Sequence, residues 1–287
     1  MRRVGENSYT EIYFTGCNPS FVVTSEGVVM IDSPFLPIDS LKWRERIAEF
    51  GKPKYLINTE PHIDHISGNQ YFPGVEVIGQ VGIKERYYTD LNRIPLAEQV
   101  ERAKRDHPDS VFLLGHPDYP PNPPTRIFSE SFTLQVGKHT FQCHHIPGHT
   151  KPQTAIFCPE EGVLFTGDNI FQGTKSWIQE GDPWEWLQAL ERIAGFDCDN
   201  IIPGHGEPCG REYLTKQAEV LHNWIGLVEG FIDKGMTEEE ALRQPIEVKK
   251  LDPYPIGQGL MEFDEMVNRL NVSNIYKLAT ARRQAKS

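Results

Sequence analysis

The sequence lacks long apolar runs, basic tracts and cysteine pairs, and each absence excludes a class of protein. No segment of the 287 residues is apolar for long enough to cross a bilayer, so we expect no membrane association. Polar sequence follows Met1 without the apolar core of a secretory signal, which favours a cytoplasmic protein. The five cysteines lack metal-type spacing and are expected to be buried thiols.

The formal net charge of −11 argues against nucleic acid as a partner. Proteins that bind a phosphate backbone concentrate Lys and Arg on one surface, and no such stripe is present. The short basic tail at 281–286 is typical of a solvated helix end. A small-molecule substrate is therefore expected, and the sequence leaves open a homo-oligomer.

Two β-rich segments, each followed by helices, indicate a layered α/β sandwich. The first segment is a meander over 9–34, and the second covers about 132–165. No clean linker separates the parts, so we predict a single domain over 1–287 with a core at about 9–210. The remainder, 211–287, is predicted to be a helical extension that packs onto this core.

Three local patterns carry further structural expectations. The periodicity of Trp184–Ala194 predicts an amphipathic helix that turns Trp184, Leu187, Leu190 and Ile193 inward. Thr237 and Glu240 have the spacing of a capping box, which predicts a helix start. The proline-rich stretch 116–124 must be an extended loop, which either shapes a pocket or only connects its neighbours.

The most informative stretch is Glu60-Pro61-His62-Ile63-Asp64-His65, which directly follows a predicted strand at 55–58. Pro61 disfavours helical geometry at Glu60, so the four polar side chains are expected to fan out of a loop at the end of the strand. Carboxylates and imidazoles are the usual protein ligands of divalent metals. A cluster this short also occurs by chance, so partners elsewhere in the chain decide its meaning.

Three such partners follow apolar strands later in the chain. His149 lies in Pro-Gly-His-Thr, Asp168 in Thr-Gly-Asp-Asn and His205 in Pro-Gly-His-Gly. The adjacent glycines allow sharp backbone turns, which would project each side chain into a cleft. The repetition of this arrangement favours one shared site.

These motifs, in this order, resemble the metallo-β-lactamase fold superfamily, with a match from about Tyr9 to Glu207. The resemblance implies a four-layer αβ/βα sandwich with a metal site at one edge and, in this chain, extra C-terminal helices. The glyoxalase II and lactonase branches look nearest because Asp168 matches their bridging carboxylate. β-Lactam hydrolysis is less favoured, since the lactamases lack that residue.

The resemblance also implies a ligand set for two divalent metals, with zinc expected and manganese or iron as alternatives. Asp168 would bridge the two metal sites. Site one would comprise Glu60, His62 and His149, and site two would comprise Asp64, His65 and His205.

Glu60 departs from the family pattern, which has a histidine at this position. Glutamate is a competent oxygen ligand for zinc, iron or manganese. With three carboxylates and one bridging hydroxide, two divalent cations would form a neutral centre, whereas a histidine here would leave one positive charge. The resulting hypothesis is a preference for neutral or weakly anionic substrates and for harder metals. Alternatively, Glu60 turns away and only one metal binds tightly.

The chemistry that the resemblance implies is hydrolysis of a lactone, ester, thioester or amide. A metal-bridging hydroxide would attack the substrate, and Asp64 would accept and return a proton. Two alternatives remain open: an iron-dependent redox enzyme resembling the persulfide dioxygenases, and a non-catalytic scaffold.

Candidate substrate-binding residues flank the metal motifs. Phe171, Lys175 and Trp177 follow Asp168, and Tyr119 lies in the segment between the first cluster and His149. Their aromatic rings suggest an apolar pocket for an acyl or aromatic group. Asp32 ends a strand beside the expected site and is a candidate to orient a ligand histidine.

Overall fold

A computed structural model describes residues 1–256 and 263–285, and its first sheet has seven strands. The strands from β1 to β4 pair antiparallel as a meander, and those from β4 to β7 pair parallel. Spatial order follows chain order: β1 (Arg2–Arg3), β2 (Ser8–Thr10), β3 (Ser20–Thr24), β4 (Gly27–Ile31), β5 (Pro53–Ile57), β6 (Glu76–Gln80) and β7 (Arg126–Phe128).

The second sheet has five strands in the order β12-β11-β10-β9-β8. Its pairs are antiparallel except β11 with β12, which are parallel and carry register irregularities around Gly167. The strands are β8 (Ser131–Val136), β9 (His139–His145), β10 (Thr154–Cys158), β11 (Val163–Gln172) and β12 (Asn200–Gly206).

The core lies between the two sheets. Alternate side chains of each strand point to opposite faces, so each sheet buries one apolar face against the other. Val29 and Ile57 of the first sheet belong to the same buried cluster as Phe141, Ile156 and Phe165 of the second. All five side chains are almost fully buried.

Helices cover the two outer faces. Helix α1 packs on the first sheet, where its Trp43 and Ile47 join a buried cluster with Met30 and Leu56. Helices α5, α6 and α9 share a buried cluster with the outer face of the second sheet. The helices are α1 (Pro37–Ala48), α2 (Ile63–Ile66), α3 (Val81–Leu91), α4 (Leu96–Asp106), α5 (Pro183–Ala194), α6 (Tyr213–Asp233), α7 (Glu238–Leu242), α8 (Val248–Leu251) and α9 (Asp264–Gln284).

This helix–sheet–sheet–helix layering confirms the predicted α/β sandwich. The capping box at Thr237 and Glu240 is also confirmed. In α5, Leu190 and Ile193 are buried as predicted, whereas Trp184 and Leu187 are only partly buried and Trp186 is fully buried. Trp184 lies below the guanidinium of Arg282. Within the described ranges, no helix is both long and apolar enough to span a bilayer.

Candidate metal centre

The first four candidate ligands lie where β5 ends and α2 begins. Glu60 and His62 lie in the connecting loop, as predicted, but Asp64 and His65 lie in the single turn of α2. Pro61 disfavours a helix before it and permits one after it, so the helix starts at Ile63. The backbone N–H of His65 donates to the carbonyl of His62 at 2.9 Å, which turns the later ligands back toward the earlier ones.

The other three ligands come from the second sheet. His149 lies in the turn between β9 and β10, whereas Asp168 and His205 lie within β11 and β12. The sequence placed Asp168 and His205 in turns after their strands, but the strands continue through them with an irregular register. Gly204 is required here, because a Cβ at this position would lie 1.8 Å from Asp168 Oδ1.

The structure brings together all seven predicted ligand positions. The ligating atoms of Glu60, His62 and His149 all lie within 4.8 Å of one another, as do those of the second predicted group, Asp64, His65 and His205. In the first group, His62 Nδ1 lies 2.8 Å from Glu60 Oε2 and 3.1 Å from His149 Nε2.

Two carboxylates lie between the groups. Asp168 oxygens lie 3.2 Å from His65 Nε2, 3.3 Å from His205 Nε2 and 3.6 Å from His149 Nε2. Glu60 also contacts both groups, because its Oε1 lies 3.1 Å from His65 Nε2 while its Oε2 faces His62. Glu60 therefore points into the cluster and occupies a more central position than its predicted assignment to site one alone.

Burial and neighbouring charges shift the pKa values of the candidate ligands in different directions. Burial raises the pKa of Glu60 to about 7 and lowers the pKa of His149 to about 4. Burial also raises the pKa of Asp64, but the nearby imidazoles of His65 and His205 outweigh it and lower that pKa to about 2. Such opposed shifts within one cluster are typical of functional sites.

The cluster also fits a divalent cation. Both carboxylate oxygens of Glu60, Oδ1 of Asp168 and Nε2 of His65 are buried without a hydrogen-bond partner. Buried acceptors are normally satisfied, and leaving them unpaired is costly. Convergent oxygen and imidazole atoms of this kind match the ligand preferences of zinc, manganese and iron.

The ring nitrogens that face away from the cluster differ in how they are held. His65 Nδ1 lies 2.9 Å from Asp32 Oδ2, which confirms the predicted contact of Asp32 with a ligand histidine. His149 Nδ1 lies 2.8 Å from the carbonyl oxygen of Trp177. If both nitrogens carry the proton, each Nε2 lone pair faces the cluster.

His62 is held less firmly, by a residue that the sequence did not single out. Its Nε2 lies 3.3 Å from Glu180 Oε2, which is near enough for charge attraction, although the nitrogen has no well-directed hydrogen-bond partner. Arg86 of α3 binds Glu180 through two nitrogens at 2.5 and 3.2 Å. No local sequence pattern indicates Glu180, because its loop reaches His62 only through the tertiary fold.

A cavity of about 420 Å³ opens onto the cluster. Phe171, Lys175 and Trp177 line it, as expected for substrate-binding residues. Tyr119 is absent from the lining, and its ring packs 5.0 Å from that of Tyr71. This placement gives no support to a substrate-binding role for Tyr119.

The proline-rich loop that carries Tyr119 serves as a connection. Its Asn122 donates from the side chain to the carbonyl of Val75, and the backbone N–H of Asn122 donates to Tyr87 Oη at 3.2 Å. None of the residues 116–124 is among those lining the cavity beside the metal cluster. Of the two expectations for this loop, the structure therefore favours the connector.

Comparison with known proteins places the chain in a family. Residues 12–205 match the model of the Metallo-beta-lactamase superfamily. The chain is 24% identical over 272 residues to a linear primary-alkylsulfatase from Pseudomonas sp. (strain ATCC 19151), covering 81% of this chain and 49% of the alkylsulfatase. It is 22% identical over 172 residues to an acyl-coenzyme A thioesterase from Gallus gallus, covering 58% of this chain and 61% of the thioesterase.

A hydroxyacylglutathione hydrolase from Xanthomonas campestris pv. campestris (strain B100) is 26% identical over 227 residues, covering 77% of this chain and 71% of that enzyme. The chain thus spans about half the length of the alkylsulfatase and three fifths of the thioesterase.

Solved structures show the same fold. A sec-alkylsulfatase from Pseudomonas sp. superposes with a TM-score of 0.67 at 16% identity, covering 96% of this chain and 49% of that chain. A metallo-beta-lactamase from Pontibacter korlensis gives a TM-score of 0.56 at 17% identity, covering 77% of this chain and 98% of that chain. With the family model matched over 12–205, the chain belongs to the metallo-beta-lactamase superfamily.

Proposed function

We propose that the protein is a metal-dependent hydrolase with a dinuclear centre. The observation that carries this proposal is the convergence of seven candidate ligands, among which Glu60, His65 and Asp168 have buried polar atoms without a hydrogen-bond partner. The relatives named as thioesterase, hydroxyacylglutathione hydrolase and alkylsulfatase support a hydrolytic reaction.

In this proposal each residue of the centre has a defined task. Glu60, His62 and His149 would hold one divalent ion, and Asp64, His65 and His205 would hold the other. Asp168 and Glu60 contact histidines of both groups. Divalent ions, when bound, supply a Lewis acid and generate a nucleophile from water. Asp64 lines the cavity with a side chain that is 24% exposed, so its carboxylate can exchange a proton with a bound substrate.

The proposed substrates are small-molecule esters, thioesters, lactones and amides. Sulfate esters join this set as a second candidate, because the match to the primary alkylsulfatase covers 81% of the chain. Phe171 forms an apolar wall beside the centre. The centroid of its ring lies 5.4 Å from that of the His149 ring and 5.3 Å from that of the His205 ring. An apolar wall in contact with two candidate ligands suits substrates whose reacting group is attached to an apolar body.

The test is metal analysis of the purified protein, followed by assays of that sample against carboxylic esters, thioesters, lactones and primary alkyl sulfates. We expect two divalent ions per chain and hydrolysis that chelators abolish. His62→Ala should lose both one ion and the activity, whereas His222→Ala, which alters an exposed histidine of α6, should retain both. A single iron per chain with oxygen consumption on a persulfide would instead support the redox alternative and overturn the hydrolase proposal.

A further inference from the structure

Among the described residues, the charged side chains that line the cavity outside the candidate ligands are cationic. Apart from Asp64 and Asp168, which belong to the metal centre, no carboxylate lines the cavity among the described residues. Three cationic side chains do: Arg93, Lys175 and Arg102. In a chain with a net charge of −11, this local excess of cations favours an anionic ligand.

Lys175 is the most buried of the three cations, with 2% of its surface exposed. Its Nζ pairs with Asp264, the first residue of α9, whose side chain is 47% exposed and does not line the cavity. A buried ammonium requires a partner, and this one contacts it from outside the cavity. Lys175 is therefore held in place while remaining part of the cavity wall.

The two arginines approach the same cavity from the segment around α4. Arg102 pairs with Glu98 on its own helix at 2.6 Å, and its guanidinium lies 5.9 Å from the centroid of the Phe263 ring. Phe263 immediately precedes Asp264, so Arg102 and Lys175 contact consecutive residues at the start of α9. Arg93 lines the cavity and makes no ion pair with any described residue.

Apolar side chains make up most of the remaining wall. Met266 and Leu270 of α9 line the cavity and are 42% and 40% exposed. The other apolar lining residues are Phe35, Ile63, Ile94, Phe171, Trp177 and Phe263. A cavity of about 420 Å³ lies within the usual range for small-ligand pockets.

From this lining we infer that the substrate is an amphiphilic anion, with an aliphatic body against the α9 wall and an anionic group bound by Arg93, Arg102 and Lys175. The inference rests on the proposed hydrolase function and specifies its substrate class. It replaces the expectation of neutral or weakly anionic substrates, which considered only the charge of the metal ligands. Guanidinium and ammonium groups bind carboxylate, sulfate and phosphate by charge-assisted hydrogen bonds.

Binding of three ten-carbon probes to the purified protein tests the inference: decanoate, decane-1-sulfonate and decanol, none of which carries a hydrolysable ester bond. Calorimetry should give Kd values for the two anions at least about tenfold lower than for decanol, since hydrogen bonds to charged groups are stronger than those between neutral groups. Arg93→Gln should weaken binding of both anions by about tenfold and leave decanol unchanged. The matched control is Lys104→Gln, because Lys104 lies on α4 outside the cavity lining and pairs with Glu101.

Lys175→Met is the second variant. A thermal melt checks that this variant folds without the ion pair between Lys175 and Asp264. Equal affinity for decanol and decanoate in the wild type would overturn the inference, as would an unchanged anion preference in Arg93→Gln. Because binding is measured without turnover, the result for the substrate class does not depend on the result for the hydrolase function. A protein that binds the anions selectively but hydrolyses no ester contradicts only the hydrolase function.

Discussion

The two halves of the candidate centre are supported in different ways. His65, in site two, is fully buried, and Asp32 at the end of β4 binds its outer nitrogen at 2.9 Å. His62, in site one, faces Glu180, which is 27% exposed and gives no well-directed hydrogen bond. Of these two histidines, His65 is therefore expected to be the more rigidly oriented, since second-sphere partners orient metal ligands.

Site one also depends on residues outside the region that matches the family model. The loop that carries Trp177 and Glu180 is held by α9, where Asn271 Oδ1 accepts from the N–H of Ile178 at 2.7 Å. Asn274 donates to the carbonyls of Ile178 and Gly181 at 2.6 and 2.8 Å. The C-terminal helix thus braces one half of the centre, although the family match ends at residue 205.

Asp168→Ala should lower the metal affinity of both sites, so that the two halves of the candidate centre no longer differ. Its oxygens lie within 3.6 Å of His65, His149 and His205, so its loss removes an acceptor shared by the two sites. We expect metal affinity at both sites to fall by more than the roughly 10–100-fold that loss of an outer partner causes. Competition with a fluorescent chelator measures this, with exposed Asp197→Ala as the control. Two tightly bound ions in Asp168→Ala would refute the shared position.

Asp32→Asn should weaken site two selectively. Asp32 has φ 53°, which asparagine tolerates, so the fold should persist. Asp32 accepts from Thr59 N–H at 2.8 Å, which would keep the asparagine oxygen in place and turn its NH₂ toward His65 Nδ1. His65 would then carry its proton on Nε2 and lose that lone pair as a ligand. Affinity at this site should fall roughly 10–100-fold, and stoichiometric titration that finds both sites unchanged would contradict the account.

Glu60→His tests the carboxylate that contacts both halves. The substitution adds one positive charge to the occupied centre and replaces an oxygen ligand by nitrogen. We expect the ratio of zinc to manganese bound from an equimolar mixture to rise several-fold, because imidazole suits zinc and carboxylate suits manganese. Elemental analysis of both proteins measures the ratio. An unchanged ratio would show that Glu60 does not determine metal preference.

Glu180→Ala should weaken site one by about tenfold, the lower end of the effect of losing an outer partner, because its contact with His62 is poorly directed. Site two should be unaffected, so the difference between the two affinities should widen. Glu185→Ala is the matched control, since Glu185 pairs only with Lys151 in a surface contact at 2.6 Å. If both variants leave metal titrations unchanged, Glu180 has no orienting role.

Asn274→Ala has the smallest expected effect on the metals. It removes two hydrogen bonds to the loop and should cost about 1–3 kcal/mol of stability, with less than a tenfold change at site one. Chemical denaturation and metal titration measure the two effects. Ser273→Ala is the control, because Ser273 binds Glu238 of α7 at 2.5 Å and does not reach the loop. A larger loss at site two than at site one would reverse the comparison.

The sequence predicted the layered sandwich and the candidate ligands because both depend on local patterns. Apolar strands ending in polar motifs mark His149, Asp168 and His205 without knowledge of the fold. Contacts between residues far apart in the sequence were harder to predict. In α5 the burial of Leu190 and Ile193 was predicted, but that of Trp186 was not. Trp186 donates its indole N–H to the Asn169 carbonyl at 3.0 Å and packs on His149. Neither partner is near in sequence.

The sequence by itself determined which side chains are present and near which strands they lie. Only the tertiary structure decided that Glu60 contacts both halves of the centre, that Glu180 reaches His62 and that Tyr119 lies outside the cavity. The tertiary structure also brought Arg93, Arg102 and Lys175 together with the start of α9 in the wall of the cavity. The physical reason is that strand and helix periodicity depends on neighbours along the chain, whereas these contacts join residues far apart in sequence whose distances are set by packing.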